Sequence, residues 1–193
     1  MRRSKRTGKV MPRSTVRDIL HGLEPQKLIE APGYSTFFPS SEEYDMNEAP
    51  SSWAKVPAMR HAMTQFPTTP YFLHLDDHTL IANPAISVEE HLTDGKRIES
   101  LAITDVPVVP PDSVIKTLQG VPGDYVDLLL VQDREGLSVN SFVLRNGDWA
   151  KYFLDTWFDP LYRTYHFQKA ERHALEHIVQ YVPRIWRTKF SGC

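Results

Sequence analysis

The chain has 193 residues, of which 41% are hydrophobic and 24% charged, a composition typical of one globular domain rather than of a disordered chain. Six of its 22 basic residues lie within residues 1–13, which hold no acidic residue, so the rest of the chain carries a net charge of −8 and disfavours a nucleic-acid-binding body. A single cysteine excludes a disulfide-rich scaffold, and no apolar stretch reaches the roughly 18 residues of a membrane span.

The hydrophobic pattern predicts a disordered basic tail over residues 1–14, followed by a single domain over residues 15–193 in which strands and helices alternate. Strands are expected at 33–38, 71–75, 126–131 and 139–144, and helices at 53–65, 87–91, 148–158 and 168–182. Ser51 or Ser52 is expected to cap the helix at 53–65. Alternating elements of this kind predict an α/β fold, in which ligands commonly bind beyond the carboxyl ends of strands.

The triplet Asp76-Asp77-His78 interrupts an apolar pattern directly after the predicted strand at 71–75. Unpaired buried carboxylates are costly, so Asp76 and Asp77 either face solvent or hold a cation. Alternate residues of an extended chain point the same way, which lets Asp76 and His78 present an oxygen and a nitrogen ligand together. Such a pair suits Mn²⁺ bridging a diphosphate. A polar turn without a ligand is the simpler interpretation and stays open.

Two other polar groups allow both a functional and a structural interpretation. His173 and His177 stand four residues apart on one predicted helix and could share a metal, although two polar histidines beside a core stripe are the favoured interpretation. The segment 132–136 follows a buried strand, and Asp133 and Glu135 could bind sugar hydroxyls or act as a base. A capped turn fits that segment equally well.

Several blocks, taken in order, resemble a known family. They are residues 52–62 (SWAKVPAMRHA), 72–84 (FLHLDDHTLIANP), 105–116 (DVPVVPPDSVIK), 126–145 (VDLLLVQDREGLSVNSFVLR), 149–165 and 168–180 (QKAERHALEHIVQ). Together they resemble glycosyltransferase family 34, the fungal galactosyltransferase and α-1,6-mannosyltransferase family, and within it the mannan-polymerase α-1,6-mannosyltransferase subunits. The resemblance covers about residues 50–182.

The resemblance implies a GT-A-like, Rossmann-related glycosyltransferase fold, incomplete here at both ends. It implies a retaining, Mn²⁺-dependent hexosyltransferase that transfers a hexose, mannose in an α-1,6 linkage, to a mannose-terminated glycan acceptor during N-glycan and mannan elongation. The nucleotide-sugar donor expected is GDP-mannose, with UDP-galactose as the other candidate. A multi-subunit glycosyltransferase complex at the Golgi membrane is expected, without a nucleic-acid partner.

The resemblance also implies roles for individual residues. Asp76 and His78 occupy the metal-binding positions, and Asp133 and Glu171 the catalytic ones. The substrate-binding positions are Lys55, Arg60, Asp77, Gln132, Glu135, Ser141 and His173.

The sequence departs from the family pattern at several positions. Arg172 and His173 replace a usual Gln-Asp or Gly-His pair, Lys189 stands where the family has a metal-binding histidine, and no first strand is evident before Gly33. A cation at Lys189 would oppose metal binding. These departures support the alternative that the chain is a truncated, non-catalytic relative that acts only as a subunit or is a non-functional product.

Overall fold

The computed structural model describes residues 15–17, 34–76, 79, 86–109, 113–133, 136–181 and 188–191. Its strands are β1 (Thr15–Arg17), β2 (Thr36–Phe37), β3 (Tyr71–Leu75), β4 (Ala102–Ile103), β5 (Leu128–Asp133), β6 (Gly136–Arg145) and β7 (Thr188–Ser191). Its helices are α1 (Lys55–Gln65), α2 (Gly95–Leu101), α3 (Asp148–Trp157), α4 (Pro160–Thr164) and α5 (Ala170–Tyr181). The tail predicted over residues 1–14 lies outside the described residues.

Within the described residues the strands form one mixed sheet in the order β2-β1-β3-β6-β5-β7-β4. Strand β6 is antiparallel to both β3 and β5, which therefore run in the same direction on either side of it. The carboxyl ends of β3 and β5 consequently lie at the same edge of the sheet. Strand β1 runs parallel to β3, with Thr15 opposite Leu73, so a short strand precedes Gly33 where the sequence pattern showed none.

The central strand β6 contains an irregularity beside the end of β3. Leu130 of β5 lies opposite Phe142, whereas the next residue, Val131, lies opposite Ser138. Residues 139–141 of β6 are thus an insertion in the ladder with β5, and insertions of this kind bend a strand locally. The backbone N–H of Asp76 donates to the carbonyl of Asn140 over 2.7 Å within this bend. The bend therefore holds the backbone immediately after β3.

Helices α1, α3 and α5 pack around the main hydrophobic core. Three core aromatic rings contact one another in series with tilted planes: the ring centroid of Trp157 lies 5.9 Å from that of Phe142 in β6 and 5.6 Å from that of Phe153. Each fully buried side chain of this size contributes roughly 1.5–3 kcal/mol relative to its exposed state. The apolar spacing of α5 predicts a buried stripe of Ala174, Leu175, Ile178, Val179 and Val182. The first four are buried, and Val182 lies outside the described residues. The fold thus fixes α1 and α5 against the strands that carry the polar residues.

Three local predictions differ from the structure. Ser51 and Ser52 do not cap α1, because the chain enters it through a 3-10 turn at Ser51–Ala54 with no side-chain capping bond. The predicted helix at 148–158 is followed directly by a second helix that was not predicted, α4, which Pro160 begins with its fixed backbone angle. The helix predicted at 87–91 is a single π turn at Glu89–Thr93.

No described helix combines the length and the apolar composition that crossing a bilayer requires.

Candidate active site

A buried lysine joins two carboxylates at the carboxyl end of β3. The Lys55 Nζ lies 3.2 Å from Glu171 Oε1 and 3.6 Å from Asp76 Oδ2. The side chains of Lys55 and Glu171 are 4% and 7% exposed, whereas that of Asp76 is 21% exposed. Charges removed from water in this way are stable only when they are paired and hydrogen-bonded. We call Ser52, Lys55, Asp76 and Glu171 the polar network.

Glu171 is held at three of its atoms. Its Oε1 faces Lys55, and its Oε2 accepts a 2.6 Å hydrogen bond from Ser52 Oγ. Its backbone carbonyl accepts a 2.9 Å bond from the indole Nε1 of Trp157. Because charge-assisted bonds of this length are strong and directional, the carboxylate has a single orientation in the network. Ser52, expected to cap a helix, instead orients Glu171.

His74 lies behind the polar network on β3, fully buried. Neither of its ring nitrogens has a hydrogen-bond partner among the described residues, and its ring centroid is 4.9 Å from that of Phe142. Burial, and after it the nearby Lys55 ammonium, lower the pKa of His74 from 6.5 to about 3, although Asp76 opposes the shift. The imidazole is therefore neutral at physiological pH and adds no second positive charge beside Lys55.

The hairpin of β5 and β6 places a second group of polar residues at the same sheet edge. Asp133 lies opposite Gly136 and Gln132 opposite Leu137 at its tip. The Gln132 Oε1 is buried and has no hydrogen-bond partner within the described part of the chain. An unsatisfied buried amide oxygen is costly, which makes it a candidate ligand contact.

Helix α5 faces the hairpin tip with charged side chains. The Glu176 Oε1 accepts bonds of 3.3 Å from both the backbone N–H of Leu137 and the Nε of Arg172. His173 Nε2 lies 3.9 Å from Glu176 Oε2, and the His173 ring also contacts Phe167. His173, expected to bind substrate, is thus packed beside Glu176 at the hairpin end of α5.

The remaining predicted residues separate into three groups. Ser141 lies opposite Leu75, one residue before Asp76, at the end of the described β3–β6 pairing. Arg60 lies on another face of α1, about 140° around the helix axis from Lys55. Its Nε lies 3.2 Å from Asp155 Oδ1, and the two side chains line a groove of about 540 Å³ between α1 and α3. Asp77, His78 and Glu135 lie outside the described residues, as does the Asp133 side chain.

No three histidine, cysteine or acidic side chains converge as a metal site within the ranges that the structure describes. The predicted ligand His78 lies outside those ranges, so the proposed metal pair is described only at Asp76. His173 and His177 contact aromatic rings, Phe167 in both cases. This packing agrees with the structural interpretation favoured for that pair.

Three residues of the site were missed by the sequence analysis, or were given another role. His74 interrupts an apolar strand two residues before Asp76, and that alternation was a usable signal for a shared face. Glu176 stands four residues after Arg172, the spacing of a helical ion pair. No sequence signal connects Ser52 to Glu171, because 119 residues separate them.

Residues 26–190 match the model of the galactosyl transferase GMA12/MNN10 family. A probable α-1,6-mannosyltransferase of Saccharomyces cerevisiae, MNN10, is 33% identical over 150 residues, which cover 76% of this chain and 37% of that protein. An uncharacterized α-1,2-galactosyltransferase of Schizosaccharomyces pombe is 26% identical over 129 residues, covering 67% of this chain and 39% of that protein. The chain thus spans less than half the length of these curated relatives.

The fold is also found among solved structures. A glycosyltransferase involved in the glycosylation of the major capsid of PBCV-1 superposes with a TM-score of 0.55 and 13% identity, covering 94% of this chain and 82% of that one. This likeness, together with the mixed sheet, confirms the predicted GT-A-like α/β fold. The family predicted from the sequence blocks is confirmed as well, because its model matches most of the chain. The chain belongs to the galactosyl transferase GMA12/MNN10 family.

Proposed function

We propose that this chain carries the centre of a metal-dependent, retaining hexosyltransferase that transfers mannose in an α-1,6 linkage from GDP-mannose to a mannose-terminated glycan. The polar network at the carboxyl end of β3 is the observation that carries the proposal. It places a buried cation and a partly exposed carboxylate at the edge where α/β folds bind ligands. Membership of a family that includes mannosyltransferases and galactosyltransferases supports the reaction class.

The described donor chemistry fits a hard divalent cation such as Mn²⁺. Asp76 offers carboxylate oxygens on a side chain that solvent reaches, and Gln132 offers a buried amide oxygen on a strand ending at the same edge. Oxygen donors of these types suit Mn²⁺. Asp76 and His78 would hold the ion. A divalent ion at this place would neutralise the charge that develops on the leaving nucleotide diphosphate.

Lys55 supplies the positive charge that the chain itself brings to the site. Its ammonium is oriented by Glu171, which in turn is oriented by Ser52, so it is fixed before substrate binds. A preorganised cation in a site of low water content stabilises developing negative charge without reorganisation. In the proposed reaction Lys55 donates to a donor phosphate oxygen, Glu171 keeps it in place, and Asp133 orients the transferred sugar.

The test of this proposal is donor consumption by the full chain with Mn²⁺, a mannobiose acceptor and either GDP-mannose or UDP-galactose. We expect GDP-mannose to be used, and Asp76→Asn to lower the rate by about 100-fold or more, since it removes a charge from the metal and diphosphate site. Asp148→Asn is the matched control, because Asp148 is fully exposed at the start of α3. Use of UDP-galactose alone would correct the donor, and full activity of Asp76→Asn would exclude the metal role.

A second function, a non-catalytic subunit, is favoured by one contact. The Lys55 ammonium already lies 3.6 Å from Asp76, so it competes with a metal ion for that carboxylate. Calorimetry of the chain with GDP and Mn²⁺ separates the two functions, since binding supports the enzyme and its absence supports the subunit. A multi-subunit complex at the Golgi membrane, acting in N-glycan and mannan elongation, is part of either proposal.

A further inference from the structure

The side chain of Glu176 connects helix α5 to the end of the β5–β6 hairpin. Its carboxylate accepts from the Leu137 N–H and the Arg172 Nε, each at 3.3 Å, and lies 3.9 Å from His173 Nε2. The Glu176 side chain is 12% exposed and that of Arg172 16%. A carboxylate so far removed from water requires these donors, and the donors in turn require it.

The contact to Leu137 holds β6 beyond its described pairing with β3. The ladder between β3 and β6 ends at the pair Leu75 and Ser141, four residues after Leu137. The N–H of Leu137 donates instead to a side chain of α5, 39 residues away along the chain. A backbone N–H bonded to a charged acceptor in a buried site is held more tightly than one bonded to water. Helix α5 therefore restrains the hairpin beyond the point where β3 ends.

Gly136 allows the close approach of the hairpin to Glu176. A Cβ at this position would lie 2.5 Å from Glu176 Oε1, well inside normal contact. The φ angle of Gly136 is +122°, a region that residues with a Cβ rarely adopt. The backbone conformation at Gly136 thus allows the carboxylate of Glu176 to lie directly against β6, opposite Asp133.

We propose that Glu176 is a positioning residue that holds the β5–β6 tip, and with it Gln132 and Asp133, at a fixed place relative to the polar network. The same helix carries Glu171, which is paired with Lys55, and Glu176, which is bonded to Leu137. Glu171 and Glu176 are five residues apart, about one and a half turns of α5. Because the helix is rigid over this distance, the two contacts fix the position of the hairpin relative to that of Lys55. The catalytic consequence of this inference rests on the proposed function; the structural restraint does not.

The experiment compares Glu176→Asp with Glu176→Gln in the full chain. Aspartate keeps the charge for Arg172 but is one methylene shorter, so its carboxylate withdraws from the Leu137 N–H. Glutamine keeps the reach and an oxygen that accepts from Leu137. Glu90→Ala, at an exposed position of the π turn, is the control. The readouts are hydrogen exchange of the Leu137 amide, followed by NMR with nitrogen-15 leucine, and the kcat and KM of donor consumption.

We expect Glu176→Asp to speed exchange at Leu137 by about tenfold and to lower kcat by a similar factor with little change in donor KM. Glu176→Gln keeps the acceptor but loses the charge, so it should change both measurements less than Glu176→Asp does. Glu90→Ala should remain near the parent in both measurements. Parent-like exchange in Glu176→Asp, or greater damage from Gln than from Asp, would overturn the restraint. Faster exchange with unchanged kcat would overturn its catalytic consequence. An inactive parent would count against the proposed function alone, because exchange still decides the restraint.

Discussion

The Lys55 ammonium and the Glu171 carboxylate form a 3.2 Å ion pair in which each side chain is less than a tenth exposed. The pair joins the first residue of α1 to the first turn of α5. A buried pair of this kind costs desolvation free energy that only its partners recover, so removing one member leaves an isolated charge. The pair is therefore a constraint on the relative placement of the two helices as well as a part of the proposed site.

Lys55→Met should lower the free energy of unfolding by about 3 kcal/mol, since it leaves Glu171 buried without its cation. Adding Glu171→Leu to that variant should cost much less than Glu171→Leu alone, because the double variant buries no unpaired charge. Urea unfolding of the four proteins measures the coupling. Arg60→Met, which breaks an exposed pair with Asp155, should cost under about 1 kcal/mol. Strictly additive losses at 55 and 171 would contradict the prediction.

Ser52→Ala should destabilise the chain by about 1.5–3 kcal/mol, because it removes a 2.6 Å bond to a charged and buried acceptor. The neighbouring Ser51→Ala is a matched control, since Ser51 is exposed like Ser52 and lies in the same 3-10 turn. Thermal unfolding of the two variants side by side gives the comparison. Equal losses would show that the turn, and not the bond to Glu171, determines the effect.

Acid should destabilise the chain through His74. Its pKa is about 3 in the folded protein against 6.5 for the free side chain, so between these values the unfolded chain binds a proton that the folded chain does not. Stability from this group is complete above pH 6.5 and is lost as the pH falls toward 3, by on the order of 5 kcal/mol in total.

The measurement is the free energy of unfolding between pH 7 and pH 4 for the parent and for His74→Leu. The variant should lose less stability over this interval, and near pH 7 it should be about as stable as the parent, because leucine removes two unpartnered buried nitrogens. Ser51→Ala, at an exposed position without a titratable group, should keep the parental slope. A His74→Leu slope equal to that of the parent would refute the assignment.

Gly136→Ala should destabilise the chain by about 1–3 kcal/mol, because its φ of +122° is strained for any residue with a Cβ. Gly147→Ala is the contrast: its backbone is extended, with φ 173°, and a Cβ there would have no atom within 4 Å. Thermal unfolding should therefore separate two identical substitutions. Similar melting temperatures would contradict the backbone geometry described for Gly136.

Much of the fold could be predicted from periodicity, and the exceptions have physical causes. Strand β3 has its predicted bounds, and α5 buries the stripe that its apolar spacing indicated, since both depend on local alternation. Strand β1 has only three residues, too few for any period to show. The strand order, with β6 between β3 and β5, depends on long-range pairing that local patterns do not encode.

The sequence predicted several residues of the candidate site, but not which of them contact one another. Asp76 and Glu171 were singled out from the sequence and are brought together through Lys55, whose role had been assigned to substrate. Arg60 shares the same helix but lies on another face, because five residues turn an α-helix by about 140° beyond a full circle. The sequence block that contains both residues carries no sign of this separation.

The insertion of β6 between β3 and β5 has a consequence for synthesis of the chain on the ribosome. Strand β3 emerges well before β6, and Asp76 before the Asn140 carbonyl that holds its backbone. Until β6 is made, the apolar edge of Tyr71–Leu75 is available to other chains. Contacts of such long sequence separation form slowly, so the nascent chain passes through an aggregation-prone stage that ends only when β6 is added to the sheet.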